Sequence, residues 1–209
     1  KADANAEKTV YFTFDDGPHA AYTTAIADEF AKYGGKCTFF VVGNRVHGGQ
    51  AEAMRHAASL GHEIAIHGYT HTAYYNKCSD DTYQYELSRT DAVIYETIGA
   101  RATLMRPIGG SITAARVETC PYSVILWNVD TKDWYYKKEK QENIDIIVNH
   151  VLQTVKDGDI ILMHDIYSNT QNAVKVLLPL LKEQGYEFVT VSELIGNDLV
   201  PGKKYNKAP

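Results

Sequence analysis

The sequence has little of what marks several protein classes. Three cysteines, Cys37, Cys78 and Cys120, show no CxxC spacing and cannot all pair within one chain, which argues against a disulfide scaffold or a zinc knuckle. They suit a cytosolic protein, or a secreted one stabilised by its core, and the count alone does not separate the two. Only 15 glycines and 6 prolines occur in 209 residues, too few for a collagen-like or low-complexity chain. Apolar runs such as residues 37–42 and 160–163 fall far short of the roughly 20 residues that a membrane-spanning helix needs. There is no basic block, and 21 Lys and Arg against 26 Asp and Glu leave a net charge of -5. Nucleic acid is therefore not an expected partner.

What is present is an ordinary globular composition, 44% hydrophobic and 22% charged, sufficient for one domain with a sizeable core. Residues 1–8 (KADANAEK) are polar, aperiodic and begin with Lys, and read as a linker or trimmed segment lacking its upstream targeting sequence. From residue 9 strand-like and helix-like stretches alternate. β-Rich or buried apolar runs predict strands over residues 9–14, 37–42, 63–67, 104–106, 122–129, 159–163 and 187–191. Helical spacing predicts helices over residues 24–33, 50–60, 80–98, 113–119, 144–155 and 173–184. The alternation implies parallel pairing and a single α/β domain of about seven βα units, as a barrel or an open doubly wound sheet. Residues 197–209 carry Pro, Gly and Lys and read as a C-terminal tail that wraps the surface or frays.

Parallel α/β folds build their active sites at the carboxyl ends of the strands. At those ends stand Asp15 and Asp16, His67 with His71, Arg106, Asp130 with Asp133 and Trp134, and His164. Each has an ordinary reading when taken alone. Two Asp before Gly17-Pro18 form turns; histidines four apart are commonly a solvated surface pair, though also a plausible metal pair. Arg106 before Pro107 would usually be an ion-pairing surface residue, and a strand-end His a hydrogen-bonded edge residue. Delivery of carboxylates, imidazoles and a guanidinium by five segments to one rim is what points to a catalytic site. The other histidines take plain roles: His56, His62 and His150 in or beside helical surface patterns, His47 in a Gly-rich loop, and His19 shaping a turn. The 15 tyrosines hint at sugar stacking, although Tyr mostly fills core and half-buried surface.

The segments Thr13-Phe14-Asp15-Asp16-Gly17, His67-Gly68-Tyr69-Thr70-His71, Arg106-Pro107-Ile108-Gly109-Gly110, Asp130-Thr131-Lys132-Asp133-Trp134 and Leu162-Met163-His164 together resemble the polysaccharide deacetylase family, the NodB-homology domains of carbohydrate esterase family 4. The resemblance covers about residues 9–195 and implies a distorted (β/α)7 barrel whose catalytic domain is residues 9–196. It implies that Asp16, His67 and His71 bind one divalent metal, zinc or a substitute such as cobalt. Asp15 would be the general base, held as a carboxylate by Arg106, with Asp130 supporting the Arg106 side. His164 would be the general acid, oriented by Asp133. Trp134 and Leu162 would line an acetyl pocket, and a backbone N–H near Gly109 would complete an oxyanion hole.

The residue types suit that chemistry. Two imidazoles and a carboxylate leave a metal with room for water, whose pKa falls to about 7. A metal and a backbone N–H together hold a tetrahedral oxyanion, and a departing amine needs an acid separate from the base. The activity implied is metal-dependent removal of N-acetyl groups from N-acetylglucosamine in a cell-wall glycan, peptidoglycan ahead of chitin, by a secreted or cell-surface monomer whose partner is the glycan itself. An acetylxylan esterase and an inactive carbohydrate-binding relative are the alternatives; the absence of a Gly-rich phosphate loop disfavours a phosphate-handling enzyme.

Two departures from the family pattern matter. Ile108 and Gly109 stand where the family usually has Pro-Tyr, so a more open cleft is expected, one that favours longer or branched polymers over short oligosaccharides. Gly68 replaces a usual Ser or Thr that braces the metal loop, so looser metal binding is expected.

Overall fold

The computed structural model describes residues 8–196 and 199–208; residues 1–7 of the expected N-terminal segment lie outside them. In chain order the elements are β1 (Lys8–Asp15), α1 (Tyr22–Lys32), β2 (Thr38–Val42), α2 (Gly48–Ser59), β3 (Glu63–Gly68), α3 (Asp80–Ile98), β4 (Leu104–Met105), α4 (Ala114–Glu118), β5 (Ser123–Ile125), β6 (Val129–Asp130), α5 (Gln141–Thr154), β7 (Asp159–His164), α6 (Ser168–Glu183), β8 (Tyr186–Phe188), α7 (Val191–Ile195) and β9 (Lys204–Tyr205). Short 3-10 turns follow β2 and β4.

The strands form one sheet in the order β6-β7-β1-β2-β3-β4-β5-β9, with β8 beside the start of β1. Every strand pair in it is parallel. β5 and β6 lie towards opposite ends of that order, yet only Leu126, Trp127 and Asn128 join them. An extended chain advances at most about 3.6 Å per residue, so the two ends must be drawn together. The sheet therefore curls into a barrel with an unpaired seam between β5 and β6, which decides between the barrel and the open doubly wound sheet that the alternation of strands and helices left open.

Alternate residues of the central strands serve two cores, which is why these strands read as continuous apolar runs. Phe12, Phe14, Phe39, Val41, Ile66, Ile161 and Met163 face the helices and pack with Ile26 and Phe30 of α1 and Leu177 of α6. Tyr11, Phe40, Ala65, Leu104, Ile125 and Ile160 form a smaller cluster inside the curl. At the strand ends the interior positions turn polar: in register across the sheet, Asp15 sits beside His164, one layer above Thr13 and Leu162.

Three local readings need correction. Residues 122–129 do not form one strand; β5 pairs with β4 and β9, whereas β6 pairs with β7. The apolar signal carries into the break because Leu126 and Trp127, which follow β5, are large, apolar and partly buried. The strand expected over residues 187–191 ends at Phe188, and Thr190 opens α7 through a capping box with Glu193, a Thr-x-x-Glu signal visible in the sequence. His62 is not part of a surface pattern. It is buried, its Nδ1 accepts the Cys37 N–H at 3.1 Å, its Nε2 lies 3.0 Å from the Ala27 carbonyl, and burial lowers its pKa. In the tail, β9 extends the sheet edge, and Leu199, Tyr205 and Ala208 pack against the inner cluster.

Candidate active site

Arg106 forms the floor of the site. It follows β4, is fully buried, and lies at the barrel seam, where its Nε and Nη2 donate to the carbonyls of Ile125 and Leu126 at 3.0 and 2.8 Å. Its Nη1 donates to Thr13 Oγ1 at 2.7 Å and to Asp15 Oδ1 at 2.8 Å. The guanidinium is also covered by the rings of Phe40 and Trp127, at 4.2 and 5.4 Å. Burial disfavours its charge and Asp15 opposes that effect; a buried ion pair of this kind is costly to break, about 3–5 kcal/mol when one partner is removed. Asp15 is thus held in place as the mate of a fixed cation.

Asp16, His67 and His71 meet above that floor, their ligand atoms all within 4.8 Å of one another. Asp16 Oδ1 lies 3.2 Å from His67 Nε2 and 2.8 Å from His71 Nε2, while Asp15 Oδ2 lies 3.7 Å from His67 Nε2. His67 Nδ1 is 2.8 Å from the Arg106 carbonyl, which accepts its proton and leaves Nε2 with a lone pair aimed at the carboxylate. A buried carboxylate oxygen without a properly formed hydrogen bond, facing imidazole nitrogens, is an arrangement that a divalent cation satisfies. Burial raises the Asp16 pKa, but the two imidazoles of His67 and His71 facing its carboxylate outweigh that effect and hold the carboxyl well below its ordinary range. For His67, burial is outweighed by the charges of Asp15 and Asp16, and its pKa rises.

The loop that carries His71 is braced by Glu86 of α3, a residue the sequence reading did not single out. Glu86 is 1% exposed and accepts from Tyr69 N at 2.6 Å, Thr70 N at 2.9 Å and Thr70 Oγ1 at 2.6 Å. Gly68 is required beside it. Its φ is +111°, and a Cβ there would stand 2.7 Å from Tyr75 Oη and 3.1 Å from Glu86 Oε2. The bracing expected to be missing at position 68 is therefore supplied from the neighbouring helix. Glu86→Gln should weaken metal affinity by roughly 10–100-fold, the usual cost of losing a ligand's outer support, as read by chelator competition.

His164, at the end of β7, forms the other side. Its Nδ1 lies 2.7 Å from Asp133 Oδ1, and its backbone N–H donates to Asp133 Oδ2 at 2.7 Å. Asp133 is fully buried and also accepts from Thr170 Oγ1 at 2.6 Å and Trp134 N at 2.9 Å. Burial pushes the His164 pKa down, but the hydrogen bond and charge of Asp133, helped by Asp15 and Asp16, raise it to about 9. Asp130 reaches the same cavity, where its carboxylate accepts from Lys132 N at 2.9 Å. Arg106 hydrogen-bonds to Thr13, Asp15, Ile125 and Leu126; Asp130 is not among these partners.

These groups open into one cavity of about 520 Å³, whose wall is completed by Tyr74, Ile108, Gly109, Trp127, Trp134 and Leu162. It brings together every residue singled out from the sequence except Arg106 and Asp133, which lie beneath its surface and hold Asp15 and His164. The cleft is less open than Gly109 by itself suggests. The ring of Tyr74, from the loop after β3, reaches to 3.5 Å from where a Gly109 Cβ would be. Such a site can position a water, polarise a carbonyl, and offer a base and a protonated acid from different sides.

Comparison with known proteins agrees with this fold. The family model described as polysaccharide deacetylase matches residues 2–121. The chain is 34% identical over 202 residues to the peptidoglycan-N-acetylglucosamine deacetylase PgdA of Listeria monocytogenes, covering 97% of this chain and 42% of that protein. It is thus similar to less than half of that relative's length. A peptidoglycan-N-acetylglucosamine deacetylase of Bacillus cereus is 36% identical, covering 91% of this chain and 90% of the relative. Among solved structures, a family 4 acetyl xylan esterase of Clostridium thermocellum in complex with a cobalt ion superimposes with a TM-score of 0.86 at 31% identity, covering 97% of this chain and all of that one. With its curled parallel sheet and its motifs at the strand ends, the chain belongs to the polysaccharide deacetylase family.

Proposed function

We propose that the chain is a metal-dependent hydrolase that removes N-acetyl groups from N-acetylglucosamine units of peptidoglycan. The observation that carries this reading is the placement of the Asp16, His67 and His71 trio between two differently tuned proton carriers, Asp15 fixed by Arg106 and His164 charged through Asp133. When bound by that trio, a divalent ion, zinc first and cobalt as a substitute, would polarise the acetyl carbonyl and lower the pKa of water. Asp15 takes the proton of the attacking water, and Arg106 keeps it from turning away. His164 gives its Nε2 proton to the departing amine, because Nδ1 is committed to Asp133. Leu162 and Trp134 exclude water around the acetyl methyl, and Gly109 offers its backbone N–H to the oxyanion. Asp130 orients the segment after β6 through Lys132.

The names of the Listeria and Bacillus relatives support peptidoglycan as the substrate, and a peptidoglycan substrate favours action outside the cytoplasmic membrane; among the described residues no helix is long and apolar enough to cross a membrane. We assign catalysis to residues 9–196, acting as a monomer. The second reading, esterase action on acetylated xylan, is favoured by the likeness to the Clostridium esterase. Acetate release from peptidoglycan, N-acetylglucosamine oligomers and acetylated xylan, with metal content measured on the same sample, separates the two. Peptidoglycan should give the highest kcat/KM, and chelation should abolish it until metal is returned. Full activity in verified metal-free protein, or a preference for xylan, would refute the proposal.

A further inference from the structure

Three aromatic rings line the cavity, and they differ in how committed they are. Trp127 lies over Arg106 at 5.4 Å, and a Cβ on Gly110 would come within 3.2 Å of its ring, so it belongs to the seam. Trp134 is 45% exposed and stands edge-on to Tyr135. Tyr74 is 51% exposed at the mouth of the cavity, yet its backbone is tightly held. Its carbonyl accepts from Lys77 N and Cys78 N, both at 3.0 Å. The next residue, Tyr75, is fully buried against Tyr83, bridges to Ile112, and gives its carbonyl to Arg116 Nη1 at 3.0 Å.

An aromatic ring left in water on a fixed backbone is suited to a ligand, because little freedom remains to be lost when it is covered. The flat apolar face of a pyranose is a matching surface. The local geometry shows why the ring comes from this loop. Gly109 has φ +59°, a conformation that side chains rarely adopt, and Tyr74 Cε1 already stands 3.5 Å from its missing Cβ. A large side chain at 109 would be strained and would compete with Tyr74 for the same wall.

We infer that Tyr74 is a specificity-determining residue that stacks on the sugar ring of the acetylated unit, together with Trp134, in the place that Gly109 leaves without a side chain. This rests on the glycan deacetylase reading of the same cavity. A wall supplied by Tyr74 grips the single sugar that presents its acetyl group, so short oligomers are bound by the ring itself and not only by distant parts of the groove.

The test uses the N-acetylglucosamine tetramer, with its binding measured calorimetrically on metal-free protein and its deacetylation measured on metal-loaded enzyme. Tyr74→Ala should raise both Kd and KM by roughly tenfold, about 1.4 kcal/mol, while kcat and metal content stay near those of the wild type, the pattern of lost uniform binding. Tyr74→Phe, which keeps the ring, should restore the wild-type values. Tyr95→Ala, which removes a comparably exposed ring on α3, is the control and should change neither constant. Equal Kd in wild type and Tyr74→Ala, a loss confined to kcat, a matching loss in Tyr95→Ala, or a wild type that does not bind the tetramer would each overturn the inference. A wild type that binds through Tyr74 but releases no acetate from any glycan would uphold it while refuting the deacetylase reading.

Discussion

Asp15→Asn and Asp16→Asn are expected to fail in different ways although the residues are neighbours. Asp15 spends its charge on Arg106, at 2.8 Å, and stands off from His67 at 3.7 Å, whereas Asp16 Oδ1 faces both imidazoles at 3.2 and 2.8 Å. Loss of a base removes proton transfer, worth roughly 10²–10⁴ in rate; loss of a ligand removes the ion itself. Asp15→Asn should therefore retain near-stoichiometric metal with kcat down by about 10²–10⁴-fold. Asp16→Asn should bind metal at least roughly 100-fold more weakly, beyond the cost of losing an outer support. Metal analysis after dialysis, alongside single-turnover rates, reads both. If the two variants lose metal equally, the division of labour between the carboxylates is wrong. Because Asp15 also offsets a buried guanidinium, its variant should melt at a lower temperature than the wild type.

The second large effect is expected at Asp133, whose carboxylate holds His164 through two hydrogen bonds and raises its pKa to about 9. A protonated imidazole can then act as an acid across neutral pH, where a free one, with a pKa of about 6.5, would be largely spent. Asp133→Asn removes the negative charge while keeping the size of the side chain. The alkaline limb of the pH–rate profile should move from near 9 towards about 6.5, and kcat should fall by about 10²–10⁴-fold at neutral pH. An unshifted limb would mean that another group supplies the proton. The same shift acts on stability, and the sign follows from a folded pKa raised above the unfolded one. The stabilisation is fully present below about pH 6.5 and is lost as pH rises through about 9. Thermal unfolding of the wild type should show that alkaline decline, and Asp133→Asn should lack it.

Local chemistry made much of this protein legible before any coordinates. The apolar runs around Phe12, Phe39 and Ile161, alternating with helical spacing around Ile26 and Leu177, are enough to imply parallel strands covered by helices. Once strands are placed, the rule that sites lie at their carboxyl ends brings Asp15, Asp16, His67, Arg106 and His164 to one rim without any knowledge of their distances. A short-range signal likewise foretells the turn at His19, where Nδ1 accepts from Ala21 N and Tyr22 N.

What only the tertiary structure decided are relations between segments far apart in the chain. The break between β5 and β6 arises because a curled sheet must bring its ends together, a demand that no window around residues 122–129 contains. Glu86 reads as one more charge on a helix until α3 packs it beside Gly68 and turns it into the brace of the loop that carries His71. Tyr74 is one tyrosine of 15 until its loop folds over Gly109, and Thr170 is a helix residue until α6 aims it at Asp133. Periodicity and turn propensity act over a few residues, so the sequence by itself determined the layers and the residues at the rim. The supports of that rim depend on long-range packing, and only the folded chain shows which side chain stands behind each reacting group.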